Sequence, residues 1–286
     1  MITKIRKLLL VSRPVSWLNT AYPFGAGYIM TTGRIDGMFI IGTLFFLFPY
    51  NLLMYGVNDI FDYESDIRNP RKGGLEGAKE QKAMHPFIWL AVLVTNIPFI
   101  AWFTSVNTLR ENFALFTLLF FVIAYSVKYL RFKEIPILDS VTSSSHFVGP
   151  LIFALVLTDS AQTALPYVVA FFLWGMASHA FGAIQDIKPD REGKIASIAT
   201  VFGAKKTARL VFCLYALSCL LVIAQGFPAL LVGIAGLVYI WNVHPFLSLA
   251  DKNSDSANLG WRRFIWLNYI VGFVLTIVLI YQYFYF

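Results

Sequence analysis

Runs of about 18 to 23 mostly apolar residues recur along the chain, each long enough to cross ~30 Å of hydrocarbon as a helix. They fall near residues 15–32, 38–58, 86–105, 113–130, 136–157, 164–186, 208–225, 228–248 and 264–285. Turn-forming residues separate them: Gly33, Gly37, Pro86, Asn112, Pro136, Pro166, Pro228 and the polar stretch from Asp251 to Gly260. The pattern predicts an all-α, polytopic membrane protein with nine transmembrane helices in a single domain covering residues 1–286. Composition agrees, since 58% of residues are hydrophobic and 14% charged, against about a quarter charged in soluble domains. Cys213 and Cys219 both lie in one apolar run and read as packing groups rather than a disulfide or metal pair. Lys4, Arg6 and Lys7 before Leu8 imitate the start of a signal peptide. No small-residue cleavage site follows, so the segment is expected to stay in the mature protein.

Basic residues orient the spans. All but two of the 23 Lys and Arg fall at the amino end or in alternate loops; the exceptions are Arg34 and Arg110. This bias predicts a cell-membrane protein whose amino terminus and basic loops are cytoplasmic. Nine spans then put the carboxyl terminus outside. The net charge of +7 is accounted for by orientation and phosphate binding, and no nucleic acid is expected.

Two acidic constellations interrupt the apolar pattern. Asn58, Asp62 and Asp66 recur every four residues, which places them on one helix face, with Asp59 beside them. Asp186 and Asp190 repeat the spacing 128 residues later, a hint of a four-helix unit used twice. Carboxylates at helix ends suit Mg²⁺ ions that bridge to the oxygens of a diphosphate. Two such stripes on opposing helices would grip one cluster from both sides. Nearby cations, namely Arg68, Arg71, Lys72, Lys128, Arg131, Lys133 and Arg191, are candidates for stabilising a leaving diphosphate. The competing account is that these acids are loop residues paired with neighbouring Lys and Arg. Two spaced motifs at equivalent helices favour a site. Intramembrane acids would also suit an ion-coupled transporter or lipid carrier, although transporters place them nearer the midplane.

The motif Asn58-Asp59-x-x-Asp62-x-x-x-Asp66 resembles the signature of the UbiA-type intramembrane prenyltransferases. Asp186, Asp190, Arg191 and Gly193, followed by Ser197, Thr200 and Gly203, resemble that family's second motif. Tyr125 and Lys128 resemble its Tyr-x-x-Lys, and Arg13-Pro14 its basic entry to the first helix. The wording around the motifs, from Tyr55 to Gly77, at Ser144 to Phe147, Leu173 to Ser178 and Trp266 to Tyr269, is similar to lycopene elongases of C50-carotenoid producers.

The resemblance implies a helical bundle around a central cavity, with Mg²⁺ as cofactor. It also implies dimethylallyl diphosphate as donor and lycopene as lipophilic acceptor, with a carotenoid cyclase as a downstream partner left open. Another family activity, prenylation of an aromatic quinone precursor, is the alternative. Asn19 reads as a buried polar group within reach of the diphosphate or as a helix–helix hydrogen bond, and Tyr125 as a diphosphate contact. Phe45, Phe46, Phe48, Tyr50 and Tyr55 read as cation-stabilising rings or as packing. His146 and His179 read either as acceptors of a final proton or as structural histidines.

Overall fold

The structure is a computed structural model that describes residues 2–64 and 82–285, with side chains from Lys4 onward. Among the described residues there are twelve α-helices and no strand. In chain order they are α1 (Ile2–Val11), α2 (Trp17–Thr32), α3 (Gly37–Leu47), α4 (Pro49–Phe61), α5 (His85–Val106) and α6 (Leu109–Ser126). There follow α7 (Leu138–Leu157), α8 (Leu165–Ile184), α9 (Ile187–Glu192), α10 (Ile198–Ile223), α11 (Ala229–Val243) and α12 (Ala257–Tyr285). Eight described stretches are long and apolar enough to span a membrane, and they match the last eight expected spans. The first expected span is α2, whose 16 residues reach about 24 Å, roughly a turn short of the hydrocarbon thickness. Gly33 ends it in a left-handed conformation (φ 65°).

Two compact units form along the chain. One comprises Met1–Phe132 with His146–Ala161, the other Lys133–Ser145 with Gln162–Phe286. The Asn58–Asp62 motif lies in the first and the Asp186–Asp190 motif in the second.

In the first unit α2 packs on α3, and α4 on α5 and α6. The rings of Phe24, Phe45, Phe46, Tyr50, Phe103 and Phe153 are fully buried at its centre. The expected single helix 38–58 is broken between Leu47 and Pro49, because proline offers no N–H and clashes with the preceding turn. Freed carbonyls inside a membrane must find donors. Asn51 Nδ2 supplies them to the Phe46 and Leu47 oxygens at 2.8 and 3.1 Å. Thr20 Oγ1 donates to Phe46 O at 2.7 Å, and Asn96 Nδ2 to Pro49 O at 2.9 Å. The break is therefore held by side chains from three helices, and α4 leaves it carrying Asn58 at its carboxyl end.

In the second unit α8, α10, α11 and α12 pack in sequence around Trp174, Tyr215, Tyr239 and Phe264. Tyr215 and Tyr239 stack at 5.3 Å between centroids, and Ser178 Oγ and Tyr215 Oη share a hydrogen bond of 3.0 Å. Helix α10 begins at Ile198, ten residues before the expected start, because Ser197 and Thr200 cap it reciprocally. Helix α12 runs 29 residues and is mostly exposed along its length.

Candidate active site

Helix α4 ends at Phe61, and Asp62 is its cap, so Asn58 and Asp62 sit one turn apart on the same face. Asn58 Nδ2 donates to Asp62 Oδ2 at 3.0 Å. The other side-chain atom of the amide, Asn58 Oδ1, is buried and has no hydrogen-bond partner among the described residues. Arg131 Nη2 lies 3.6 Å from the second Asp62 oxygen. Asp59 faces the entry to α2, where Arg13 Nη2 donates to its Oδ1 at 2.9 Å. The same guanidinium lies 4.3 Å from the centroid of the Tyr55 ring. One wall of this site is thus acidic and amide in character, with two arginines drawn to it.

The second motif does not continue α8 as expected. That helix ends at Ile184, and Asp186 becomes the cap of the short helix α9, with Asp190 N donating to Asp186 O at 2.9 Å. The four-residue spacing therefore survives on a new axis. Arg191 is tied down: Nη1 meets Asp251 Oδ2 at 2.8 Å, while Nε and Nη2 donate to Thr200 O. Asp251 in turn accepts from Ala204 N at 2.7 Å, a contact opened by Gly203 (φ 78°, ψ 163°). At the other end of the motif Asn258 Nδ2 donates to Gln185 Oε1, and Gly182 packs beneath the Trp261 ring.

The sequence profile of the UbiA prenyltransferase family matches residues 20–285. The chain belongs to the UbiA prenyltransferase family. It is a multi-span membrane enzyme, and the expectation of a transporter or lipid carrier is set aside. It is 47% identical, over 98% of both chains, to a lycopene elongase/hydratase of Corynebacterium glutamicum. It is 44% identical over 95% of its length to a C(50) beta-cyclic carotenoids biosynthesis protein of Dietzia, of which it covers 63%. A solved UbiA homologue from Archaeoglobus fulgidus, described as bound to DMAPP and Mg²⁺, shares the fold with a TM-score of 0.69. That likeness covers 93% of this chain and 98% of the other, at 17% identity.

Within this prenyltransferase the expected site residues divide clearly. Asn58, Asp59, Asp62 and Arg131 are brought together in the first unit, and Asp186 and Asp190 in the second. Asp66, Arg68, Arg71 and Lys72 lie outside the described residues. Asn19 is exposed rather than buried; its neighbour Thr20 faces the core instead and accepts from Asn51 Nδ2 at 2.7 Å. Tyr125 sets its ring edge-on to His146 at 5.0 Å, and Lys128 lies 5.3 Å over Tyr129. Lys133 is half-buried. Phe45, Phe46 and Tyr50 are core rings, whereas Tyr55 sits under Arg13. His146 is buried, with Nε2 3.3 Å from Phe121 O. Sequence spacing missed two charged contributors. Arg13 was visible only as an entry motif, and Asp251 carried no repeat that would mark it.

Proposed function

We propose that this prenyltransferase attaches the C5 unit of dimethylallyl diphosphate to the ends of lycopene, with Mg²⁺ as cofactor. The observation that carries the reading is the 47% identity, over 98% of both chains, to a lycopene elongase/hydratase. Motif chemistry supports the cofactor. Asn58 Oδ1, a buried oxygen without a partner among the described residues, lies beside Asp62, the donor set a hard cation takes. Asn58, Asp62 and Asp66 of the first motif, and Asp186 and Asp190 of the second, would hold the ions. Asp59 is committed to Arg13 and is assigned to that pair. Mg²⁺, when bound, neutralises the diphosphate so that it departs more readily.

The protein's own groups do the rest. Arg131, with Tyr125, Lys128, Lys133 and the cations at 68, 71 and 72, stabilises negative charge as the allylic C–O bond breaks. The terminal double bond of lycopene attacks the allylic cation, which leaves a tertiary cation on the acceptor. Proton loss or capture of water ends the step. The charge bias of the loops supports a cytoplasmic amino terminus and a carboxyl terminus outside.

Membranes containing the protein, given lycopene, dimethylallyl diphosphate and Mg²⁺, are expected to form C45 and C50 carotenoids, and to form none after chelation. Unchanged lycopene alongside turnover of an aromatic quinone precursor would overturn the reading.

A further inference from the structure

The segment Asp251–Ser256, between α11 and α12, lies alongside α9 and the second motif. Three contacts join them. Arg191 Nη1 meets Asp251 Oδ2 at 2.8 Å, and Lys188 Nζ meets Asp255 Oδ1 at 2.8 Å. Asn258 Nδ2, in the first turn of α12, donates to Gln185 Oε1. The partners descend from Arg191 to Gln185 as the segment rises from Asp251 to Asn258, so the two stretches run antiparallel and in register.

The far side of this segment is anchored in the core of the same unit. Ser254 and Ala257 are buried, and Asn242 Nδ2 donates to Gly260 O at 2.9 Å. A Cβ at Gly260 would stand 2.6 Å from the rings of Phe181 and Phe246. Asp251 has a second tie of its own, accepting from Ala204 N at 2.7 Å. Helix α9, by contrast, has only six residues, too few to hold its shape without outside contacts. At about 100° per residue, Asp186 and Asp190 fall on one side of it, with Lys188 and Arg191 roughly opposite. Exposure agrees: the two acids are half-buried and the two cations exposed. The segment therefore holds α9 by the side away from its acids.

We infer that Asp251, Asp255 and Asn258 are positioning residues, a clamp that sets Asp186 and Asp190 for the metal ions. Lys188 and Arg191 serve the clamp instead of touching the diphosphate. The inference rests on the metal reading of the second motif given above. Carboxylates already held in place lose less freedom when they close on a cation, so the clamp is read out as metal affinity.

Both ion pairs are partly exposed, and pairs of that kind add little to stability, so Asp251→Asn and Asp255→Asn are expected to fold. Purified protein in detergent is titrated with Mn²⁺ in place of Mg²⁺, with inorganic pyrophosphate present, and free Mn²⁺ is read by paramagnetic resonance. The dissociation constant is expected to rise about 10-fold in Asp251→Asn, and further when Asp255→Asn is added. Exchanging the partners, Lys188→Asp with Asp255→Lys, is expected to restore most of the affinity that Lys188→Asp alone loses. In membranes, the Mg²⁺ concentration for half-maximal rate is expected to rise in step, while KM for lycopene stays at its wild-type value. Wild-type Mn²⁺ affinity in the double variant would overturn the inference. So would an equal rise in KM for lycopene, the mark of general loosening. If wild-type membranes leave lycopene unchanged, the carotenoid reading fails while the Mn²⁺ titration still judges this one.

Discussion

Arg13 sits in a left-handed backbone conformation (φ 50°), which costs a non-glycine residue about 1 kcal/mol. Its guanidinium recovers that cost by stacking on Tyr55 and pairing with Asp59, whose side chain is 4% exposed. Replacing the cation removes a charge partner at 2.9 Å from a buried carboxylate. Arg13→Met is therefore expected to lower stability by about 3 kcal/mol, and Arg13→Met with Asp59→Asn by clearly less. Thermal denaturation in detergent measures both, and equal losses would show that the pair is not what matters. Asp62→Ala and Asp190→Ala are expected to abolish nearly all activity while leaving membrane insertion intact; wild-type rates in both would remove the metal assignment. These motif residues were legible in the sequence because carboxylates are rare and periodic in an apolar chain. Arg13–Asp59 was not, since 46 residues separate the partners and nothing local couples them. The orientation of Asn19 was misread for a related reason. Helical neighbours differ by about 100° in direction, so one position decides between Thr20 in the core and Asn19 on the surface.

Elements were located by hydropathy and length, which is why the eight longer spans stand where the apolar runs predict. Their interruptions were harder to foresee, because a broken helix keeps the apolar composition of an unbroken one. The Pro49 break depends on Asn51, whose amide serves two buried carbonyls. Asn51→Leu is expected to cost about 2 kcal/mol and to weaken donor binding at Asn58, measured as a raised KM. A variant of wild-type stability and KM would show that water or another group serves those carbonyls. The second break lies at Gly203, where φ 78° and ψ 163° belong to a region open essentially to glycine. A Cβ there would stand 2.9 Å from Asp251 Oδ1, in the contact that holds Arg191. Gly203→Ala is expected to cost roughly 1–3 kcal/mol and to reduce activity together with stability. The sequence contained the capping pair Ser197 and Thr200 that starts α10. The cations at Lys205, Lys206 and Arg209 masked it by making the first turns look like loop.

At the scale of the whole molecule, the asymmetry of basic residues leads to one further expectation. A reporter active only outside the membrane and fused after Phe286 is expected to be active, and the same reporter at the amino end silent; the reverse pattern would invert the topology. The length of α12 adds a calibration of depth. Its charge-free part, residues 264–285, measures about 33 Å, close to the full hydrocarbon thickness. Arg262 and Arg263 are therefore expected to mark the headgroups like a plimsoll line, with the turn before them on the watery side of that boundary. Asn258 and Trp261 fasten this turn to Gln185 and Gly182, just ahead of Asp186. On the proposed function, this helix would set the second motif at the height where a charged head stays hydrated while its hydrocarbon tail dissolves in lipid.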